Sequence, residues 1–141
     1  MLTLVIINCS VVCLVVAIHF EMLSLLTRFL PHLPLRPRHK IMVGVLYCLT
    51  AHAVEVWIFA FAYYFMNKAG YWGAFTGAFD HSLLDCVYFS FTSFSTLGFG
   101  DIVPTGGIRF LTGIESLTGL LLITWSASFL YLEMTTYWNK D

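Results

Sequence analysis

The residues with the clearest chemistry are Thr96-Leu97-Gly98-Phe99-Gly100-Asp101. Two glycines bracket one aromatic residue, and each can take a positive φ that would cost a residue with a side chain about 1–2 kcal/mol. Alternating such conformations turns successive carbonyl oxygens to one side of a strand. Several copies of the strand, meeting on an axis, can then replace the water around a partly dehydrated cation. Thr96 adds a hydroxyl at one end of this row, and Asp101 adds a carboxylate at the other, where repeated copies would concentrate cations.

Such a strand needs elements that hold it at the right depth. The apolar run Leu83 to Phe94 leads in and is too short to cross a bilayer, whereas a full hydrophobic segment leads out. Non-helical backbone at membrane depth is tolerated only when buried in protein or lining a water-filled path. The run therefore predicts a re-entrant pore helix over 82–95, followed by a filter at 96–101. Spans over 41–66 and 108–134 flank this loop.

Composition agrees with a membrane setting. The chain has 141 residues, of which 59% are hydrophobic and 11% charged, and its mean hydropathy is +0.82. These values describe an integral membrane protein with no room for a separate soluble domain, and nothing supports nucleic-acid binding or an organic cofactor. Cys9, Cys13, Cys48 and Cys86 show no metal-binding spacing and no disulfide framework is expected. Cys86 is the one candidate for exposure, and a buried thiol is expected there.

Taken in order, residues 1–30 form an N-terminal span whose polar members, His19, Glu21 and Ser24, lie near one end. It lacks the basic start and small-residue cleavage site of a secretory signal. Pro31, Pro34 and Pro37 break the helix in a 31–40 linker that carries Arg36, Arg38 and Lys40, with Arg28 just before it. The positive-inside tendency makes this linker cytoplasmic, with the N-terminus outside and the C-terminus cytoplasmic. The pore module occupies 41–141. Its first span would be about 39 Å long as a helix, with Tyr63, Tyr64, Tyr71 and Trp72 as an outer aromatic belt. Residues 67–80 form an outer turret. Pro104, Gly106 and Gly107 turn the chain into the last span, and Tyr137 and Trp138 make an inner belt.

The hexapeptide resembles the selectivity filter of the potassium-channel family, usually Thr-Val-Gly-Tyr-Gly-Asp, with Leu97 in place of valine and Phe99 in place of tyrosine. The resemblance implies an all-α membrane protein in which an outer helix precedes a helix, re-entrant pore helix, filter and helix. Because the chain has one pore loop, it also implies a homotetramer in the lipid bilayer. Potassium ions would bind at Thr96, Leu97, Gly98 and Phe99, with Gly100 completing the filter. Asp101 would form the outer mouth and pair with Tyr88, which stands where tryptophan is common. Thr92 occupies the pore-helix position at which some relatives carry a carboxylate. Gly119 lies at the hinge spacing from Arg109, with close packing as the alternative.

Further candidates come from the spans. Glu115 lies roughly 12 Å along the last helix from Gly107, near the depth of Ser90, Thr92 and Ser93, and is predicted to support the filter from behind. Ile123, Ala127 and Tyr131 recur every four residues and are expected to line the cavity. His52 and Glu55 share a helix face and form a candidate pH-sensitive pair. The expected function is a passive, potassium-selective cation channel of the plasma or inner membrane, not an enzyme, and open to a separate regulatory subunit. The alternatives are a weakly selective or sodium-permeable channel, a non-conducting partner subunit, or a membrane enzyme using His52, Glu55 and Glu115 at a metal.

Overall fold

A computed structural model describes residues 2–138, with the side chains of the last helical residues, Tyr137 and Trp138, outside the described set. The order is α1 (Leu2–Phe29), a 3-10 turn (Leu30–His32), α2 (Pro37–Ala69), β1 (Phe75–Gly77), α3 (Leu83–Phe94), β2 (Ile102–Pro104) and α4 (Ile108–Trp138). Three helical segments, Leu2–His32, Pro37–Ala69 and Ile108–Thr136, are long and apolar enough to cross a membrane, whereas α3 is short. The fold is that of an all-α membrane protein, and its one small sheet is confined to the turns around the pore loop.

Local signals explain where the helices stop, and two correct the sequence expectation. Pro37 does not end the linker as a breaker but occupies the first turn of α2, so the linker stops at Arg36. Proline suits that position because its fixed φ is helical and its missing N–H would have no intrahelical partner. At the other end Gly70 takes φ +79° and its N–H reaches the Met66 carbonyl at 3.3 Å, extending α2 beyond residue 66 to Ala69. Pro104 likewise belongs to β2, which pairs antiparallel with β1 through Phe75 and Pro104, Thr76 and Val103, and Gly77 and Ile102. The segment before α3 is thus stitched to the chain that follows Asp101.

One face of α1 is buried, through Asn8, Val15, His19, Leu23 and Leu26, a spacing of three, four or seven residues that marks one side of a helix. Near its start Leu4 crowds Gly107, and near its end Leu23, Leu26 and Leu30 pack with Cys48, Phe129 and Leu130. Accordingly α1 and α4 run in the same direction and α2 runs against them. Cys86 is buried, as expected, while Cys9 and Cys13 lie exposed on α1.

Lipid tails are as apolar as leucine, so spanning helices associate through close packing and hydrogen bonds more than through apolar burial. Gly119 shows the first of these. A Cβ at this position would lie 2.2 Å from the Phe94 carbonyl oxygen, so α4 can meet the end of α3 only without a side chain there. Helix α4 continues through Gly119, which is a close-packing point against the end of α3.

Candidate functional site: the pore loop and its supports

Helix α3 starts at Ser82, whose hydroxyl accepts the Asp85 N–H at 3.0 Å, a side-chain cap of the kind that stabilises a helix start. Asp85 in turn accepts the Asp80 N–H at 2.6 Å, which holds this carboxylate at the entry of α3. The helix ends at Phe94, and the backbone then turns sharply through three tight bonds. Ser95 N–H reaches the Phe91 carbonyl at 3.1 Å, Thr96 N–H the Ser93 carbonyl at 3.0 Å, and Gly98 N–H the Thr92 carbonyl at 3.0 Å.

From there the strand alternates. Thr96, Gly98 and Gly100 have φ of +61°, +52° and +80°, while Leu97 and Phe99 do not enter the left-handed region. A non-glycine residue at positive φ costs about 1–2 kcal/mol, and Thr96 holds this conformation against that cost. Thr92, Ser93, Thr96, Gly98, Gly100 and Asp101 border a groove of about 330 Å³ beside the strand.

The outer end is tied down from two sides. Tyr88 donates its hydroxyl to Asp101 Oδ2 at 2.8 Å, and its ring stacks on Phe99 at a centroid distance of 6.4 Å and 7° between planes. That hydrogen bond to a carboxylate raises the Tyr88 phenol above its ordinary value, so it stays a donor at neutral pH. On the other side, the Asp101 carbonyl accepts the Ala78 N–H at 2.9 Å. Gly77 permits this approach, since a Cβ there would sit 2.2 Å from the same oxygen.

Behind α3 stands Glu115, fully buried. Tyr63 donates to its Oε2 and Ser90 to its Oε1, in two short hydrogen bonds that join α2, α3 and α4. The Ser90 hydroxyl also lies 2.9 Å from the Val56 carbonyl. Thr92 is not a partner of Glu115, because its hydroxyl turns back to the Phe89 carbonyl at 2.9 Å. Tyr63 is no part of an outer aromatic belt: it is 0% exposed, and its hydroxyl is what the carboxylate requires. Sequence reasoning missed it because an aromatic residue near a helix end has two readings, and only the neighbouring helix chooses between them.

A second buried carboxylate lies lower. Glu55 accepts from His52 Nδ1 at 2.9 Å and from His19 Nδ1 at 2.7 Å. The structure therefore brings together His52 and Glu55, adds His19 from α1, and leaves Glu115 with Tyr63 and Ser90. A three-ligand metal centre of His52, Glu55 and Glu115 is overturned by this separation. His19 carried a signal that could have found it, as a titratable residue within an apolar span. The His52 ring also lies 5.7 Å from the ring of Phe94, two residues before Thr96.

Along α4 the side chains of Ile123, Ala127 and Tyr131 are exposed on a single chain. Thr124 and Ser128 return their hydroxyls to the carbonyls of Leu120 and Thr124 at 2.6 and 3.0 Å, satisfying their own helix and not a neighbour.

Residues 51–135, more than half of the chain, match a family model described as an ion channel. The chain belongs to this ion channel family. The matched region of the channel chain contains most of α2, the pore loop and α4 through residue 135. Helix α1 lies outside it and packs on it as an additional helix. No curated protein and no solved structure matches the chain.

Proposed function

We propose that four copies of this channel chain enclose a pore that passes potassium ions passively and selectively, with carbonyl oxygens of Thr96, Leu97, Gly98 and Phe99 as ligands. The observation that carries the reading is the alternation of positive φ at Thr96, Gly98 and Gly100 directly after a short helix. That backbone can aim a row of carbonyls at a shared axis, where they substitute for an ion's hydration shell. Thr96 closes the inner end, and Asp101, held by Tyr88, supplies negative charge at the outer mouth.

Assembly has its own support. Leu84, Phe91, Leu97 and Phe99 are large apolar side chains exposed around one pore loop, a patch that neighbouring copies would cover. The basic linker between α1 and α2 orients the chain with its N-terminus outside and its C-terminus in the cytoplasm of a plasma or inner membrane. A weakly selective pore is the second reading, favoured by Phe99, which has no hydroxyl with which to tie the strand to α3.

Flux from the purified chain in vesicles under opposed potassium and sodium gradients tests this. A reversal potential near that of potassium is expected, and Gly98→Ala abolishes conduction because alanine disfavours the φ of +52° found there. Reversal near zero selects the weakly selective pore. An assembled tetramer with no flux overturns conduction and leaves a non-conducting partner subunit.

A further inference from the structure

Outside the pore loop, three titratable side chains converge within the membrane-spanning part of the fold. His19 comes from α1, and His52 and Glu55 from α2. Their donor atoms all lie within 4.8 Å of one another. Both imidazoles turn the same atom, Nδ1, onto opposite oxygens of one carboxylate, at 2.7 and 2.9 Å. The two rings stack at 5.4 Å with 24° between planes. The side chains of His19 and Glu55 are 0% exposed and that of His52 is 16% exposed. Both ion-pair contacts of Glu55 are with histidine.

We propose that His19, His52 and Glu55 form a binding site for a divalent transition metal ion, Zn²⁺ foremost, which fastens α1 to the pore module. Two imidazoles and a carboxylate are a donor set that suits Zn²⁺ and leaves a fourth position for water. Metal–ligand bonds of about 2.0–2.1 Å at tetrahedral angles set donors about 3.3 Å apart. The Glu55 carboxylate need only withdraw by about half an ångström from each ring to admit the ion. With Nδ1 on the ion, the His19 proton sits on Nε2, a buried atom with no hydrogen-bond partner among the described residues, and the tilted Trp125 ring lies 5.2 Å from the His19 ring, centroid to centroid. The His52 ring lies 5.7 Å from the ring of Phe94, the last residue of α3, so the site adjoins the helix that leads into the pore loop.

The test uses the full chain in detergent, stripped with a chelator and then dialysed against Zn²⁺, with metal counted by mass spectrometry and Co²⁺ absorption as a second probe. About one ion per chain is expected, together with Co²⁺ quenching of tryptophan fluorescence that disappears in Trp125→Phe. His19→Ala and Glu55→Gln weaken binding by about tenfold or more. A chain with Cys9, Cys13, Cys48 and Cys86 all changed to alanine binds as before, as does one with His32→Ala and His39→Ala in the linker region. Should His19→Ala fail to fold, His52→Ala at the partly exposed position gives the same comparison. Binding that is substoichiometric, indifferent to Glu55→Gln, or lost with the cysteines overturns the site. Because the readout is bound metal, the result stands whether or not the chain conducts.

Discussion

Glu55 and Glu115 are both fully buried carboxylates in spanning helices, yet different chemistry holds them. Glu115 receives two hydroxyls, from Tyr63 and Ser90, and all three residues lie within the region matched to the channel family. Glu55 receives two imidazoles, and one of them, His19, comes from the helix outside that region. Hydroxyls keep their protons near neutral pH and make a fixed strut. Imidazoles can exchange a hydrogen bond for a metal ion. The pore unit is thus braced internally by groups that do not change, while the additional helix is attached through groups that can.

The most damaging way to break this contrast is Gly119→Val. Gly119 is one turn beyond Glu115 on α4, and its Cβ would overlap the Phe94 carbonyl, prising apart the helices that bring Glu115 to Ser90. Loss of assembled protein on size-exclusion chromatography is expected. Next in size is Glu115→Leu, which leaves two buried hydroxyls without their acceptor and costs about 2–4 kcal/mol in detergent unfolding. Glu115→Gln keeps an acceptor and should lose much less; equal damage from the two substitutions would sink the strut argument. Tyr63→Phe should cost about 1–2 kcal/mol, and a double-mutant cycle with Glu115→Leu should be strongly non-additive.

The smallest effect belongs to the exposed pair Tyr88 and Asp101. Tyr88→Phe should barely change stability but should alter how conduction depends on pH. The phenol's folded value is raised above about 10 by Asp101, so the link is present below that pH and is lost as pH rises through the raised value. Conductance of the wild type should therefore change in strongly alkaline solution, and that change should be missing in Tyr88→Phe. Two profiles that stay parallel across this range would show that the hydrogen bond does not shape the outer mouth.

Much of the architecture was legible because the bilayer restricts backbone conformation. Long apolar runs must be helices, and an apolar run too short to span, followed by two closely spaced glycines, has few solutions at membrane depth. Titratable residues in spans also stand out, which is how Glu115, His52 and Glu55 could be named without coordinates. Their partners could not be named so readily. Tyr63 and Glu115 are 52 residues apart, and His19 and Glu55 are 36 apart, so neither pair has a local periodicity to announce it.

By itself, then, the sequence determined the number of spans, the pore loop between the last two, and the glycine positions at which the strand can alternate. Those follow from local physics: hydropathy, helix length and the freedom of glycine. Tertiary structure alone decided that Gly119 is a contact point, that Tyr63 faces inward to Glu115, that β1 pairs with β2 in the chain beyond Asp101, and that α1 meets α2 through His19. Each depends on which face one element turns to another, and in a lipid solvent that choice rests on close packing and buried hydrogen bonds between residues distant in sequence.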